Sequence, residues 1–91
     1  MNKFCYIACI IYGCNIEDLM GNSRKLPYVM ARYLVFALAI DRGYKQRAIT
    51  DFLKRGRCMT YHIARTVEDM RKHDKDFIIS LHKANQILLN I

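Results

Sequence analysis

Arg55 and Arg57 flank Gly56 and are followed closely by Cys58, Tyr61 and His62, residue types that suit gripping a nucleic acid better than making bonds. A guanidinium presents a planar fork of donors that fits guanine O6 and N7 with two hydrogen bonds, and fits a phosphate as well. Bond-making chemistry finds no comparable arrangement. His62, His73 and His82 have no Ser, Cys or carboxylate partner at a telling spacing, so no catalytic residue is assigned and the chain is read as a non-enzyme. No Cys-x-x-Cys or Cys/His ligand spacing occurs among Cys5, Cys9, Cys14 and Cys58, which argues against a metal site. The thiols are read as reduced and mostly buried, in a cytoplasmic protein. Cys58 beside Arg57 stays open between a reactive thiol and a small groove-facing residue. Without a Gly-x-x-x-x-Gly-Lys-Ser/Thr segment there is no expectation of nucleotide or other cofactor.

The charge has one address. Of fifteen Lys and Arg residues, twelve lie within residues 23–72, against Asp41, Asp51, Glu68 and Asp69, while the two flanks are close to neutral. The formal net charge of +7 is therefore confined to the middle of the chain. Such a local positive field is the footprint expected of a protein that sits on phosphates, although a solvated surface kept for solubility accounts for the charge equally simply.

These residues need elements to position them. Ninety-one residues with 53% apolar content make one domain with a modest core. Lys3 followed by the apolar run 4–12 imitates a short signal peptide, but Phe4, Ile7, Ala8 and Ile11 fall on one helical face, and Gly13 suits a left-handed stop. The expectation is an accessory helix over about 3–12. Asn15 caps a short turn through Glu17 and Asp18, where acids favour a helix start. A polar, basic link follows, and Pro27 opens a helix over about 27–41 whose middle, 33–40, is apolar all round. That run has the length of a buried strand too, yet Ala and Leu outnumber β-branched residues and favour helix.

Beyond Gly43 the spacing predicts a short helix over 46–53 burying Ala48, Ile49, Phe52 and Leu53. A turn at Lys54-Arg55-Gly56 leads to a helix over 57–72 with Thr60, Ile63, Ala64, Val67 and Met70 inward. Asp74 caps a last helix over about 75–90 carrying Phe77, Leu81, Ala84, Leu88 and Ile91. No segment approaches the length needed to span a bilayer. The fold class is all-α, a small helical bundle. Two helices joined by a glycine-containing turn, the second opening with Arg, describe a helix-turn-helix over about 46–72. In that geometry Arg57, Cys58 and Tyr61 face base edges, while Lys25, Lys45, Arg47, Lys54 and Arg55 meet the phosphates.

Three segments carry a resemblance. Tyr12-Gly13-Cys14-Asn15-Ile16-Glu17-Asp18-Leu19, then Ser23-Arg24-Lys25-Leu26-Pro27-Tyr28-Val29-Met30-Ala31-Arg32-Tyr33-Leu34, then residues 49–60 together resemble the C-terminal DNA-binding domain of the bacterial replication initiator DnaA, a Trp-repressor-like helix-turn-helix. The likeness spans about residues 10–72. It implies that Arg24 enters a minor groove, that Arg32 holds phosphate, and that Arg55 stands at the signature arginine. The family's next four signature positions, Asp, His, Ser/Thr and Thr, fall here on Gly56, Arg57, Cys58 and Met59. The resemblance therefore implies a retained docking mode with a different target.

The expected function is sequence-preferring binding to double-stranded DNA, by a stand-alone regulator or replication accessory of the kind a phage or mobile element encodes. Two rival classes stay open: a protein-interaction module that uses the initiator-like fold, and a non-specific nucleic-acid binder. The last helix either packs on the core or pairs two chains as a homodimer.

Overall fold

The computed structural model describes residues 1–21, 24–54 and 57–90, with the backbone alone for Arg57 and Cys58. The fold is all-helical, without a strand among the described residues: α1 (Asn2–Tyr12), α2 (Ile16–Met20), α3 (Leu26–Asp41), α4 (Gln46–Phe52), α5 (Arg57–His73) and α6 (Lys75–Leu89). Pro27 lies in the first turn of α3, where its missing N–H costs nothing. From Ala31 to Ala39 this helix has no solvent face; Ala31, Leu34, Val35, Phe36, Ala37, Leu38 and Ala39 are all buried. A helix apolar on every side is stable in water only when neighbours wrap it. Here α1, α2, α4, α5 and α6 all pack against α3.

Each neighbour contributes one stripe. Helix α1 turns Phe4, Cys5, Ile7, Ala8 and Cys9 inward, α5 gives Ile63 and Val67, and α6 gives Phe77, Leu81 and Ala84. The radius of gyration, 11.9 Å, matches the roughly 12 Å of a compact domain of this length. Thr60, Ala64, Met70 and Leu88 are only partly covered, and Ile91 lies outside the described residues. Ala48, expected in the core, is exposed, because α4 is short and the core takes up only Ile49, Thr50 and the flanking Leu53.

Short-range signals set the helix ends. Gly13 (φ 68°) follows α1 in the left-handed region, and Gly43 (φ 89°) does the same after α3, letting the N–H groups of Cys14 and Tyr44 reach back to the carbonyls of Cys9 and Ala39, each at 3.1 Å. Asn15 accepts from the Asp18 N–H at 2.8 Å while its own amide donates to the Asp18 carboxylate at 2.9 Å. Asp74 accepts from the Phe77 N–H at 3.1 Å and so starts α6.

Arg32 departs from expectation. It is 8% exposed; its Nε donates to the Leu19 carbonyl at 2.7 Å, and its Nη2 to the carbonyls of Asp18 and Gly21 at 3.0 and 2.9 Å. The last turn of any helix leaves carbonyls without intrahelical donors, and this guanidinium supplies donors for α2. A group so placed serves the fold, so the assignment of Arg32 to phosphate is corrected. Two other cations of the basic stretch bridge elements, and a third pairs along the surface of its own helix. Arg42 lies over the Phe4 ring at 5.4 Å and donates to the Leu38 carbonyl and to Asn85, each at 3.0 Å. Arg71 grips Asp41 with two hydrogen bonds of 2.8 and 3.1 Å, and Lys72 meets Glu68 at 3.4 Å.

Replacing Arg32 by Met removes three charge-assisted hydrogen bonds, among them the buried one to the Leu19 carbonyl, and should lower stability by about 3 kcal/mol. The exposed Arg24, replaced the same way, should cost under about 0.5 kcal/mol. Urea unfolding of both variants checks the contrast, and equal midpoints would return Arg32 to the surface set.

Candidate nucleic-acid interface

With Arg32, Arg42, Arg71 and Lys72 withdrawn, six cations of the basic stretch have described, exposed side chains: Arg24, Lys25, Lys45, Arg47, Lys54 and Arg65. Lys45 is the residue before α4, Arg47 lies in its first turn, and Lys54 follows its end. Arg24 and Lys25 lead into α3, with Lys25 as its N-cap residue. Arg55 and Gly56 lie outside the described residues, as do the side chains of Arg57 and Cys58.

A hydroxyl pair clasps α4 to α5. Thr50 is fully buried, and its Oγ1 lies 2.8 Å from Thr60 Oγ1, 3.1 Å from the Arg47 carbonyl and 3.3 Å from the Gln46 carbonyl. A threonine hydroxyl has one proton. If the helix carbonyls take it, the Thr60 hydroxyl must donate to Thr50. The two helices are thereby fixed near the start of α5, where the angle between them matters most to any groove-reading role.

Lys54 has φ 58°, the only positive value at a non-glycine among the described residues, and its N–H donates to the Asp51 carbonyl at 3.0 Å. A left-handed lysine costs on the order of 1 kcal/mol, which the surrounding contacts must offset. Its side chain is left in solvent beside the turn.

On α5 the outward stripe is Tyr61, Arg65, Glu68 and Lys72, at helical spacing. Tyr61 is 72% exposed, and its hydroxyl accepts a hydrogen bond from Arg65 Nη1 at 3.3 Å. Arg65 was not picked out from sequence. Its signal was available, since it stands four residues after Tyr61 and eight after Arg57, on the stripe that continues from the helix start. Further along, Glu68 and Asp69 bring negative charge and Glu68 pairs with Lys72, so positive potential on this face is concentrated in the first half of α5. His62 is exposed near the same end.

No cluster of three His, Cys, Asp or Glu side chains able to hold a metal occurs among the described residues. No helix of the described residues is long and apolar enough to cross a membrane. Helix α6, the candidate for pairing two chains, spends Phe77, Leu81 and Ala84 on the core and leaves Ile78, Ile79 and Leu89 exposed. In comparisons with known proteins, no family model, no curated protein and no solved structure matches this chain significantly.

The threonine clasp has a direct test. Thr50→Val, Thr60→Val and the double variant should give a coupling energy of about 1 kcal/mol in a double-mutant cycle. Additive losses in urea unfolding would mean that the hydroxyls do not bond.

Proposed function

We propose that this chain binds double-stranded DNA with a sequence preference, using α4 and α5 as a helix-turn-helix. The observation that carries the reading is the sorting of the cations. The fold engages Arg32, Arg42 and Arg71 in contacts between elements, pairs Lys72 with Glu68 along the surface of α5, and leaves Lys45, Arg47, Lys54 and Arg65 exposed around α4 and the first half of α5. In the proposed docking, the first turns of α5 enter the major groove, while Lys45, Arg47 and Lys54 meet the phosphates that border it. Arg57 and Cys58 begin α5, one turn before Tyr61, and are assigned with Tyr61 to base edges. Arg24 and Lys25, ahead of α3, fit an arm that follows the backbone or enters a neighbouring minor groove. The likeness of residues 10–72 to the initiator's C-terminal domain supports the same docking and says nothing of the site read. A regulator or a replication accessory would use this surface identically.

One observation favours a second reading, a protein-interaction module. Tyr6 and Ile10 on α1 are 61% and 71% exposed, large apolar groups on the weakly charged part of the chain. A competition titration decides: a specific binder keeps its labelled duplex in excess random duplex, a non-specific one releases it, and an interaction module retains none at the outset. Selection of bound duplexes from a random pool provides the labelled site.

Two predictions follow from the docking. Five or six phosphate contacts should make log affinity fall with log salt at a slope of roughly −4 to −6, and a flat response would exclude phosphate binding. Arg57→Ala should relax preference at one base pair, by about 1 to 3 kcal/mol, when affinity is measured over single-base variants of the selected site. Lys54→Ala leaves the left-handed backbone equally strained, so it reports charge alone; it should weaken every sequence alike and reduce the salt slope by about one. Identical profiles for the two variants would displace the reading helix from α5.

A further inference from the structure

We propose that Cys9 and Cys14 are a dithiol pair that closes to an intrachain disulfide, making the C-terminal turn of α1 a redox-modification site for small-molecule disulfides. The inference is independent of any DNA-binding role. Gly13 in the left-handed region folds the chain back, and the Cys14 N–H donates to the Cys9 carbonyl at 3.1 Å. This cap brings together the side chains one position beyond and four positions before the chain's turn at Gly13, a contact usually made by two hydrophobic residues. Here both are cysteines, and their sulfurs lie 3.6 Å apart. A disulfide needs about 2.05 Å between sulfurs, so closure asks for an approach of roughly 1.5 Å across a turn that the backbone already holds shut.

The two thiols are not equivalent. Cys9 is buried and its thiol is pushed up to about 12, chiefly by that burial, whereas Cys14 is partly exposed and open to a reagent. Cys5, one turn before Cys9, is 2% exposed and closed to one. The Cys14 thiolate therefore attacks one sulfur of an external disulfide such as oxidised glutathione, forming a mixed disulfide and expelling one glutathione thiolate. Cys9, deprotonated as it attacks, then displaces the second glutathione from Cys14 Sγ. The protein gives up two thiol protons and two electrons; one oxidised glutathione becomes two reduced ones. Closure would pin the end of α1 to the residue before Asn15, the cap of α2, whose last carbonyls hold Arg32.

The full chain is equilibrated in glutathione buffers of graded oxidised-to-reduced ratio, acid-quenched, unfolded, alkylated and cleaved after its aromatic residues. Tyr6 and Tyr12 separate Cys5, Cys9 and Cys14 onto different peptides, so the pairing is read directly. Expected is a fall from four alkylated thiols to two, a mass loss of two hydrogens, and a cross-link between the Cys9 and Cys14 peptides. Cys5→Ala should behave as the parent, whereas Cys9→Ala should instead accumulate a glutathione adduct on Cys14. Thermal melting of each variant establishes that it is folded. The proposal is overturned if the folded parent accumulates that same adduct without closing, or if the bridge joins Cys5 to Cys9 or one chain to another.

Discussion

Between Ala31 and Ala39, α3 offers water almost nothing, and the placement of every other element answers to that burial. A helix of this kind cannot sit on a surface, so five further helices must each lend an apolar stripe to cover it. The cost falls on short elements. Helix α2 has five residues and α4 has seven, too few to hold their form by backbone hydrogen bonds alone. Both are stabilised from outside: α2 by the Arg32 guanidinium on its last carbonyls, α4 by Ile49 and Leu53 in the core and by the Thr50 clasp to α5. A buried arginine is expensive to desolvate, and that cost is offset here by three hydrogen bonds from the guanidinium to the carbonyls of Asp18, Leu19 and Gly21.

The same burial sorts the charges. A cation close to the core either finds partners there, as Arg32 does, or is drawn onto a neighbouring element, as Arg42 is by the Phe4 ring and Asn85. Arg71 closes the end of α5 onto Asp41 at the end of α3. These contacts are modest individually, since exposed pairs contribute about 1 kcal/mol or less. Their effect on the surface is larger. They remove positive charge from the far half of α5 and from the end of α3, and what remains exposed gathers around α4 and the start of α5.

Much of this fold was legible in the chain because its signals are local. Helix starts at Asn15 and Asp74, stops at Gly13 and Gly43, and the stripes of α1, α5 and α6 are patterns that span a few residues. The errors have a different physical origin. Arg32 looked like its neighbour Arg24, and only the fold-back of α2, eleven to fourteen residues earlier, distinguishes them. Ala48 lies on an apolar spacing, yet a seven-residue helix has too little length to bury a full stripe. Arg65 is not marked by spacing alone, since its bond to Tyr61 depends on side-chain geometry that spacing permits without requiring.

The candidate interface follows the same division. Sequence could assign a positive stretch, but a stretch is not a face, and three of its twelve cations, Arg32, Arg42 and Arg71, turn out to tie elements of the fold together. For those that remain, the constraint is orientation. A helix that reads a groove must be held rigidly at its N-terminal end, because small changes in its tilt move the side chains off the base edges. The Thr50–Thr60 contact lies one turn into α5 and ties that end to α4, while Lys54, just past α4, takes a left-handed backbone. The hydroxyl bond stabilises the packing of the two helices, and the left-handed lysine is a local cost that the contacts around it offset.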